Sequence, residues 1–336
     1  MAALDLDTVA KATGGTVVQG DPSLKVARYA IDSRRIAGGE LFFALQGPHH
    51  DGHRFLGEAC RRGAAAAVVS RPGPAAPLPQ VKVDDTSTAL RDLARSVRQA
   101  WQGTVIGITG SCGKTTTKEM LKLVLQGSRP LLATPGNLNN LFGLPLVLLD
   151  LLPAHQVAVL EMGISTPGEM TDLAAIACPD VAVILNVQPV HLEQFDSLEA
   201  LARAKLEILN SLNPEGTVVY NADDPLLAAG IQCRAGRRIS FGTSARADLS
   251  AEAIEIAGSE SLKARLRAPG SQADLHLPVG GRHNLANALA ALAAALAVGL
   301  PLETGCKRLQ TFTPPPMRGV RHHLPGNVII WDDTYN

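Results

Sequence analysis

The most specific chemistry in the sequence lies in one short run, Gly110-Ser-Cys-Gly-Lys-Thr-Thr116, preceded by an apolar stretch at 105–109 and followed by helix-forming residues. In a strand–turn–helix unit of this kind, backbone N–H groups of the turn and the helix N-terminus cradle anionic phosphates. Lys114 would pair with the β and γ phosphates of a nucleotide, and the Thr115 hydroxyl would ligate Mg²⁺. Ile108 stands where the longer spelling of the motif has its first glycine, leaving the shorter Thr-Gly-x-x-Gly-Lys-Thr. A chance Gly-Lys-Thr turn is the alternative, and the order of strand, loop and helix counts against it. ATP binding is the expectation. Cys112 reads as a small filler, because no histidine stands beside it to activate the thiol.

Three further groups extend this chemistry. Glu161 ends the apolar run 157–160, and His191 follows the run 181–185. In a parallel sheet both would reach the edge that carries the phosphate loop, where ligands bind. A carboxylate, an imidazole and the Thr115 hydroxyl beside a triphosphate would suit Mg²⁺. Each has a plainer reading, Glu161 as a helix-cap contact and His191 as a satisfied loop histidine. Lys205 falls on the apolar stripe of a helix predicted over 198–209, with Leu198, Leu201, Ala202, Ile208 and Leu209. A lysine there either snorkels to water or is buried with a lowered pKa, and a neutral amine could take up CO₂ as a carbamate able to ligate Mg²⁺. Periodicity by itself favours snorkelling.

These residues need a framework of strands and helices. Alternating strand and helix signals, with strands at 105–109, 131–133, 157–160, 181–185, 218–220 and 238–241, predict a doubly wound parallel sheet. Between 249 and 279 the pattern becomes strictly alternating, which predicts antiparallel strands as a small second sheet. An alanine-rich helix follows at 285–302, and Thr313-Pro-Pro-Pro-Met317 reads as a stiff linker. Upstream, short strands at 16–18, 26–31, 40–45, 66–69 and 81–83, with a helix over 53–62, predict a mixed α/β domain. A helix over 87–101, capped by Asp85 or Thr86, reads as the bridge between the two regions. The domain expectation is therefore 1–84, then 85–313 with 85–101 as the bridging helix, a linker at 314–325, and the first strand of a further domain at 326–336.

Composition sets the outer limits. The 336 residues fit about two domains. Equal numbers of basic and acidic residues, 31 each, argue against a basic nucleic-acid binder. Five scattered cysteines with no C-x-x-C spacing, and no apolar N-terminal segment, favour a reduced cytoplasmic setting and exclude a disulfide framework. The run 285–302 contains Asn287 and closes on Gly299-Leu-Pro301, so it reads as a buried helix and not a membrane span.

Taken together the motifs resemble the Mur ligases, ATP-dependent amide-forming enzymes of peptidoglycan synthesis. The resemblance runs from about residue 28 to the last residue. It rests on Asp32-Ser-Arg34, Gly39-Glu-Leu-Phe-Phe-Ala-Leu45, Asp51-Gly-His53, the phosphate loop, Gly136-Asn-Leu-Asn-Asn140, Glu161-Met-Gly163, His191-Leu-Glu193, Ala204-Lys205, Gly281-Arg-His-Asn284 with Asn287, and Asp332-Asp-Thr-Tyr-Asn336. It implies ATP held by Gly110, Ser111, Cys112, Gly113, Lys114, Thr115 and Thr116. His283, Asn284 and Asn287 would lie near the adenine, Asp333 at the ribose and Arg318 near the phosphates, with Arg321 as a second candidate. Mg²⁺ would be served by Thr115, Glu161, His191 and a carbamylated Lys205. The catalytic set is then Lys114, Glu161, His191 and Lys205. Ser33, Arg34, Asn137, Asn139 and Asn140 would face a UDP-sugar.

The implied substrates are UDP-N-acetylmuramoyl-tripeptide and D-alanyl-D-alanine, joined through an acyl phosphate by a monomer. Departures from the pattern are Cys112 for a serine and Leu141-Phe142 for a more polar pair. The family has a third, Rossmann-like domain, of which only the first strand is expected here. The corresponding expectation is a truncated ligase that binds nucleotide and turns over weakly or not at all. A ligase for another amino acid and a nucleotide- or UDP-sugar-binding fragment without turnover are the rivals.

Overall fold

The structure is a computed structural model that describes residues 3–47, 50–73, 77–190, 193–232, 236–324, 326 and 328–334. The chain divides into two compact units. The first comprises Met1–Gly103, Leu138–Gln156 and Ala175–Ala177; the second comprises Thr104–Asn137, Val157–Ala174 and Cys178–Asn336.

In the first unit a five-stranded sheet runs in the order Thr16–Gln19, Gln80–Lys82, Ala66–Val69, Glu40–Phe43, Arg28–Ala30, with the first pair antiparallel and the rest parallel. The run 26–31 proves to be two strands. Lys25–Val26 pairs with Leu4–Asp5, whereas Arg28–Ala30 joins the main sheet, so the chain changes partner at Ala27. The helix Thr86–Ala100 buries Leu90, Leu93, Ala94 and Val97, and the Asp85 carboxylate accepts from Thr88 N at 2.6 Å. Read from sequence as a bridge, this helix belongs to the first unit, as does the helix Gly143–Leu149. The expected helix 53–62 splits into a 3₁₀ turn, Gly52–Phe55, and an α-helix, Leu56–Arg61.

That 3₁₀ turn starts a closed polar cluster. His53 Nδ1 lies 2.8 Å from Asp51 Oδ1, while its Nε2 accepts from Ser70 N at 3.0 Å and lies 3.2 Å from Ser70 Oγ. Asp51 also pairs with Arg71. Serine, histidine and aspartate in a row are the types used in acyl transfer, but here the imidazole lone pair is already taken by a backbone N–H. The cluster therefore pins a turn to a strand end.

The second unit is built on one nine-stranded sheet. Its order is Ser271–Leu277, Ser261–Ala268, Leu249–Ala257, Arg237–Gly242, Thr217–Asn221, Val181–Ile184, Thr104–Thr109, Val157–Glu161, Leu131–Ala133. Pairing is parallel from Leu131–Ala133 through Leu249–Ala257. The expected antiparallel strands form, but as part of this sheet and not as one of their own. Leu249–Ala257 pairs in parallel with the end of Arg237–Gly242, so the last three strands extend the main sheet as an antiparallel edge.

The helix Lys114–Leu125 packs with Arg282–Ala297 and with Leu302–Leu309, a helix the sequence reading did not anticipate. Their apolar faces share a core with Ile106, Ile108, Val159, Val183 and Val219 of the sheet. The alanine-rich helix stops at Ala297, ahead of Gly299 in a left-handed conformation (φ +84°). Residues 320–324, read as part of a linker, form the strand Val320–Leu324, which pairs antiparallel with Val328–Asp332. Among the described residues no helix is long and apolar enough to cross a membrane.

Candidate functional site

The strand Thr104–Thr109 is where the sheet's connections change direction, with Val157–Glu161 on one side and Val181–Ile184 on the other. Ligands of doubly wound sheets bind at this switch point. The loop leaving it turns into the helix Lys114–Leu125 through Gly113, at φ +85°. A Cβ on Gly113 would meet Asn287 Oδ1 at 2.2 Å, so only glycine fits. Asn287 is buried at this spot and accepts from Thr117 Oγ1 at 3.3 Å. No side chain caps the helix N-terminus, which leaves its first-turn N–H groups to face an anion. A cradle that a Cβ would fill, opened by an uncapped helix, fits a nucleotide phosphate.

The loop is braced by its neighbour. Ser111 N donates to Asn186 O, Cys112 N to Asn186 Oδ1, and Asn186 Nδ2 back to Cys112 O, at 3.0, 3.0 and 3.1 Å. Ser111 Oγ donates to Gln188 O at 3.0 Å. Lys114 folds over the loop, its Nζ 2.8 Å from Gly110 O and 3.2 Å from Ser111 O. Burial lowers its pKa, with Glu161 acting in the opposite sense.

Glu161 is 2% exposed at the end of its strand, and its backbone N–H donates to Thr134 Oγ1 at 2.9 Å. Its Oε2 lies 4.0 Å from Nζ of Lys118, a lysine only 1% exposed. That same ammonium donates to Thr134 O at 2.7 Å and pairs with Glu119 at 3.1 Å. Lys118, Thr134 and Asn186 are the site residues that the sequence reading missed. Lys118 lies one helical turn beyond Lys114, and Asn186 comes two residues after the strand Val181–Ile184 on the ligand edge; spacing of that kind could have found both.

Lys205 does not snorkel. It is 2% exposed on the helix Leu198–Leu206, and burial, with the charge of Lys114, pulls its pKa down to about 7. Leu201, Ala202 and Ala204 on the same helix are buried with it. His191 lies outside the described residues. Among the described residues no cluster of three His, Cys, Asp or Glu side chains forms a metal cage. Glu161 and Thr115 are hard oxygen donors, and a Mg²⁺ that takes its remaining ligands from phosphates and water fits such a pair.

A cavity of about 590 Å³ adjoins the loop. Cys112, Gly113, Thr116, His283, Asn284, Asn287, Arg318 and Asp333 border it, and Gly110, Ser111, Lys114, Thr115, Glu161 and Lys205 do not. Of the two candidate arginines, Arg318 lines this cavity. Arg321 instead pairs with Glu260 at 2.9 Å and stacks on Trp331. In the first unit a second cavity, of about 680 Å³, is lined by Ser33, Arg34 and Asn140 among mainly apolar neighbours. Asn137 and Asn139 do not line it. Ser33 Oγ donates to Glu58 Oε2 at 3.0 Å and Arg34 makes a two-pronged pair with Asp32. Asn140 Oδ1 accepts from Gly143 N at 2.8 Å, starting the helix Gly143–Leu149.

Comparison with known proteins adds an independent line. Residues 108–295 match the model of the Mur ligase middle domain, and residues 25–98 that of the Mur ligase family catalytic domain. The UDP-N-acetylmuramoyl-tripeptide–D-alanyl-D-alanine ligases of Escherichia coli and Bacillus subtilis are 38% and 37% identical to the chain. Each alignment covers 91% of the chain, and 68% and 66% of the respective relative. Among solved structures, MurF from Acinetobacter baumannii superimposes with a TM-score of 0.94 at 35% identity, covering all of this chain and 74% of that one. MurF ligase from Thermotoga maritima in complex with ADP gives 0.83 at 34% identity, covering 93% of this chain and 71% of that one. The chain thus spans roughly two thirds to three quarters of the length of these relatives.

Proposed function

The chain belongs to the Mur ligase family, and from that premise we propose that it carries the ATP site and the UDP-substrate site of a ligase joining D-alanyl-D-alanine to UDP-N-acetylmuramoyl-tripeptide in peptidoglycan precursor synthesis. The single observation that carries the nucleotide part is left-handed Gly113 pressed against Asn287 at an uncapped helix start. The substrate part rests on relatives named for that reaction. On this reading the second unit binds ATP and the cavity beside Ser33, Arg34 and Asn140 takes the UDP-sugar. The protein would work in the cytoplasm, as a monomer.

The reaction needs charge neutralised and reactants aligned, with no protein nucleophile. The tripeptide carboxylate attacks the γ-phosphorus, forming an acyl phosphate and releasing ADP; the dipeptide amine then attacks the acyl carbon and phosphate leaves. Lys114 and the first-turn N–H groups would neutralise the charge growing on the phosphoryl oxygens. When bound, Mg²⁺ supplies a Lewis acid at those oxygens. Thr115 and Glu161 would hold it, with His191. Lys205, with its pKa drawn down to about 7, offers a neutral amine near that pH, which would add to CO₂ through a new N–C bond, lose one proton and present a carbamate. Bicarbonate labelled with ¹³C should give a carbamate resonance that Lys205→Arg lacks. The decisive assay is phosphate release by the 336-residue chain. Release that requires ATP, tripeptide and D-alanyl-D-alanine together supports the ligase reading and overturns the expectation of weak turnover; nucleotide binding without release supports the fragment reading; equal release with another amino acid assigns a different ligase.

A further inference from the structure

The cavity beside the phosphate loop has an aromatic wall with no role in the chemistry proposed so far. Trp331 borders it, together with Asp333 two residues on. Trp331 is the next-to-last residue of the strand Val328–Asp332 and Asp333 follows its end, so the strand's exit runs along the cavity. The indole is not loose. Trp331 and Arg321 are direct cross-strand partners in the hairpin Val320–Leu324/Val328–Asp332, and the Arg321 guanidinium sits 4.7 Å from the ring centroid. Arg321 in turn pairs with Glu260 at 2.9 Å. A carboxylate thus holds a cation, and the cation holds the ring over which it lies. Cys112, Gly113 and Thr116 give the same cavity its phosphate-binding wall, and Trp331 and His283 are the large ring side chains among its other lining residues, suited to a base and sugar.

We infer that Trp331 is a nucleobase-contacting residue of this cavity and that Arg321, anchored by Glu260, is the residue that positions its ring. The inference rests on the nucleotide reading of the site. Base–aromatic contact is lost on truncation to alanine at a cost of roughly tenfold or more in affinity.

The test uses ADP and inorganic tripolyphosphate as probes of the full 336-residue chain. The chain has two tryptophans, so Trp101→Phe leaves Trp331 as the sole indole reporter. ADP should quench or shift its emission saturably, whereas tripolyphosphate, which has no base, should bind without doing so. Trp331→Ala should weaken ADP about tenfold and leave tripolyphosphate unchanged. Trp331→Phe should recover most of the loss. Arg321→Ala should weaken ADP less than Trp331→Ala does, and should add nothing in the Trp331→Ala background.

Two outcomes overturn the inference: Trp331 emission indifferent to saturating ADP, or Trp331→Ala binding ADP within twofold of the parent. If tripolyphosphate weakens in parallel with ADP, Trp331 is merely structural and the inference also fails. A parent chain that binds neither probe would sink the nucleotide reading itself, a result distinct from the other two.

Discussion

Buried charge is handled in opposite ways around His53 and around Lys118. In the first unit Asp51, His53, Ser70 and Arg71 answer one another. Burial would raise the Asp51 carboxyl, but the His53 hydrogen bonds and the Arg71 charge outweigh it and hold it below the usual carboxylate range. In the second unit Lys114 and Lys118 lie near buried Glu161, Lys118 also pairs with Glu119, and the charge of Lys114 helps depress Lys205. A closed network stabilises a turn and asks for nothing else. Buried amines that push one another toward the neutral form are costly to charge unless an anion joins them. The second pattern therefore marks a binding site and the first does not, although the first has the residue types of an acyl-transfer triad.

The largest expected effect comes from opening the second network. Lys118→Met keeps the bulk but removes the cation beside Glu161 and the donor to Thr134 O. Losing one partner of a buried pair costs about 3–5 kcal/mol. Thermal or urea unfolding should show that loss, together with weaker nucleotide binding. A stable Lys118→Met protein with unchanged ADP affinity would mean that Glu161 is neutralised elsewhere.

Gly113→Val probes the cradle itself. The added side chain meets Asn287 and is held at a left-handed φ. ADP affinity should fall about 100-fold or more, roughly 2.7 kcal/mol. Calorimetric titration with ADP gives the measurement, and a fall under tenfold would show that the loop relaxes around the side chain.

What the sequence made legible divides along the same line. The phosphate loop was readable because its residues are neighbours in the chain and its glycine and lysine have local jobs. Strand runs such as Ala66–Val69 and Val157–Glu161 were readable because buried parallel strands are continuously apolar. The attachment of Leu249–Ala257 to Arg237–Gly242 was not, since it depends on pairing Phe241 with Leu249 and Gly242 with Ser250, which no local pattern encodes. Neither was the burial of Lys118 and Lys205. Its own helix presents Lys118 as an ordinary basic residue, the apolar stripe carrying Lys205 left snorkelling and burial both open, and only packing against other elements removes the water. Arg321 stayed one of two candidates until its cross-strand partner, Trp331, was placed.

His53→Ala should cost the first unit about 1–3 kcal/mol, because the Ser70 N–H loses its acceptor and Asp51 loses the imidazole while keeping Arg71. Its ADP affinity should stay within about twofold, since the network is closed on itself. Calorimetric unfolding and titration on the same sample separate the two quantities.

A milder effect follows from pH. Lys205 titrates at about 7 in the folded state and near 10.5 when unfolded. Between those values the unfolded chain binds more protons, so stability rises with pH across the window, by at most about 1.4 kcal/mol per unit from this group. Below the folded value both states are protonated and this contribution is flat. Lys205→Met in carbonate-free buffer should remove that slope; an unchanged slope would assign it to another group.

The smallest effect is the sharpest test of the comparison. Ser70→Ala removes only the hydroxyl, because the donor that occupies His53 Nε2 at 3.0 Å is the Ser70 backbone N–H. Stability should change by less than about 0.5 kcal/mol. The imidazole lone pair remains engaged, so nothing in the cluster can take a proton from the serine, and hydrolysis of an activated ester should be the same in the parent and Ser70→Ala chains. Ester turnover lost on Ser70→Ala would show that the imidazole releases the backbone, and the closed network would then be a catalytic site.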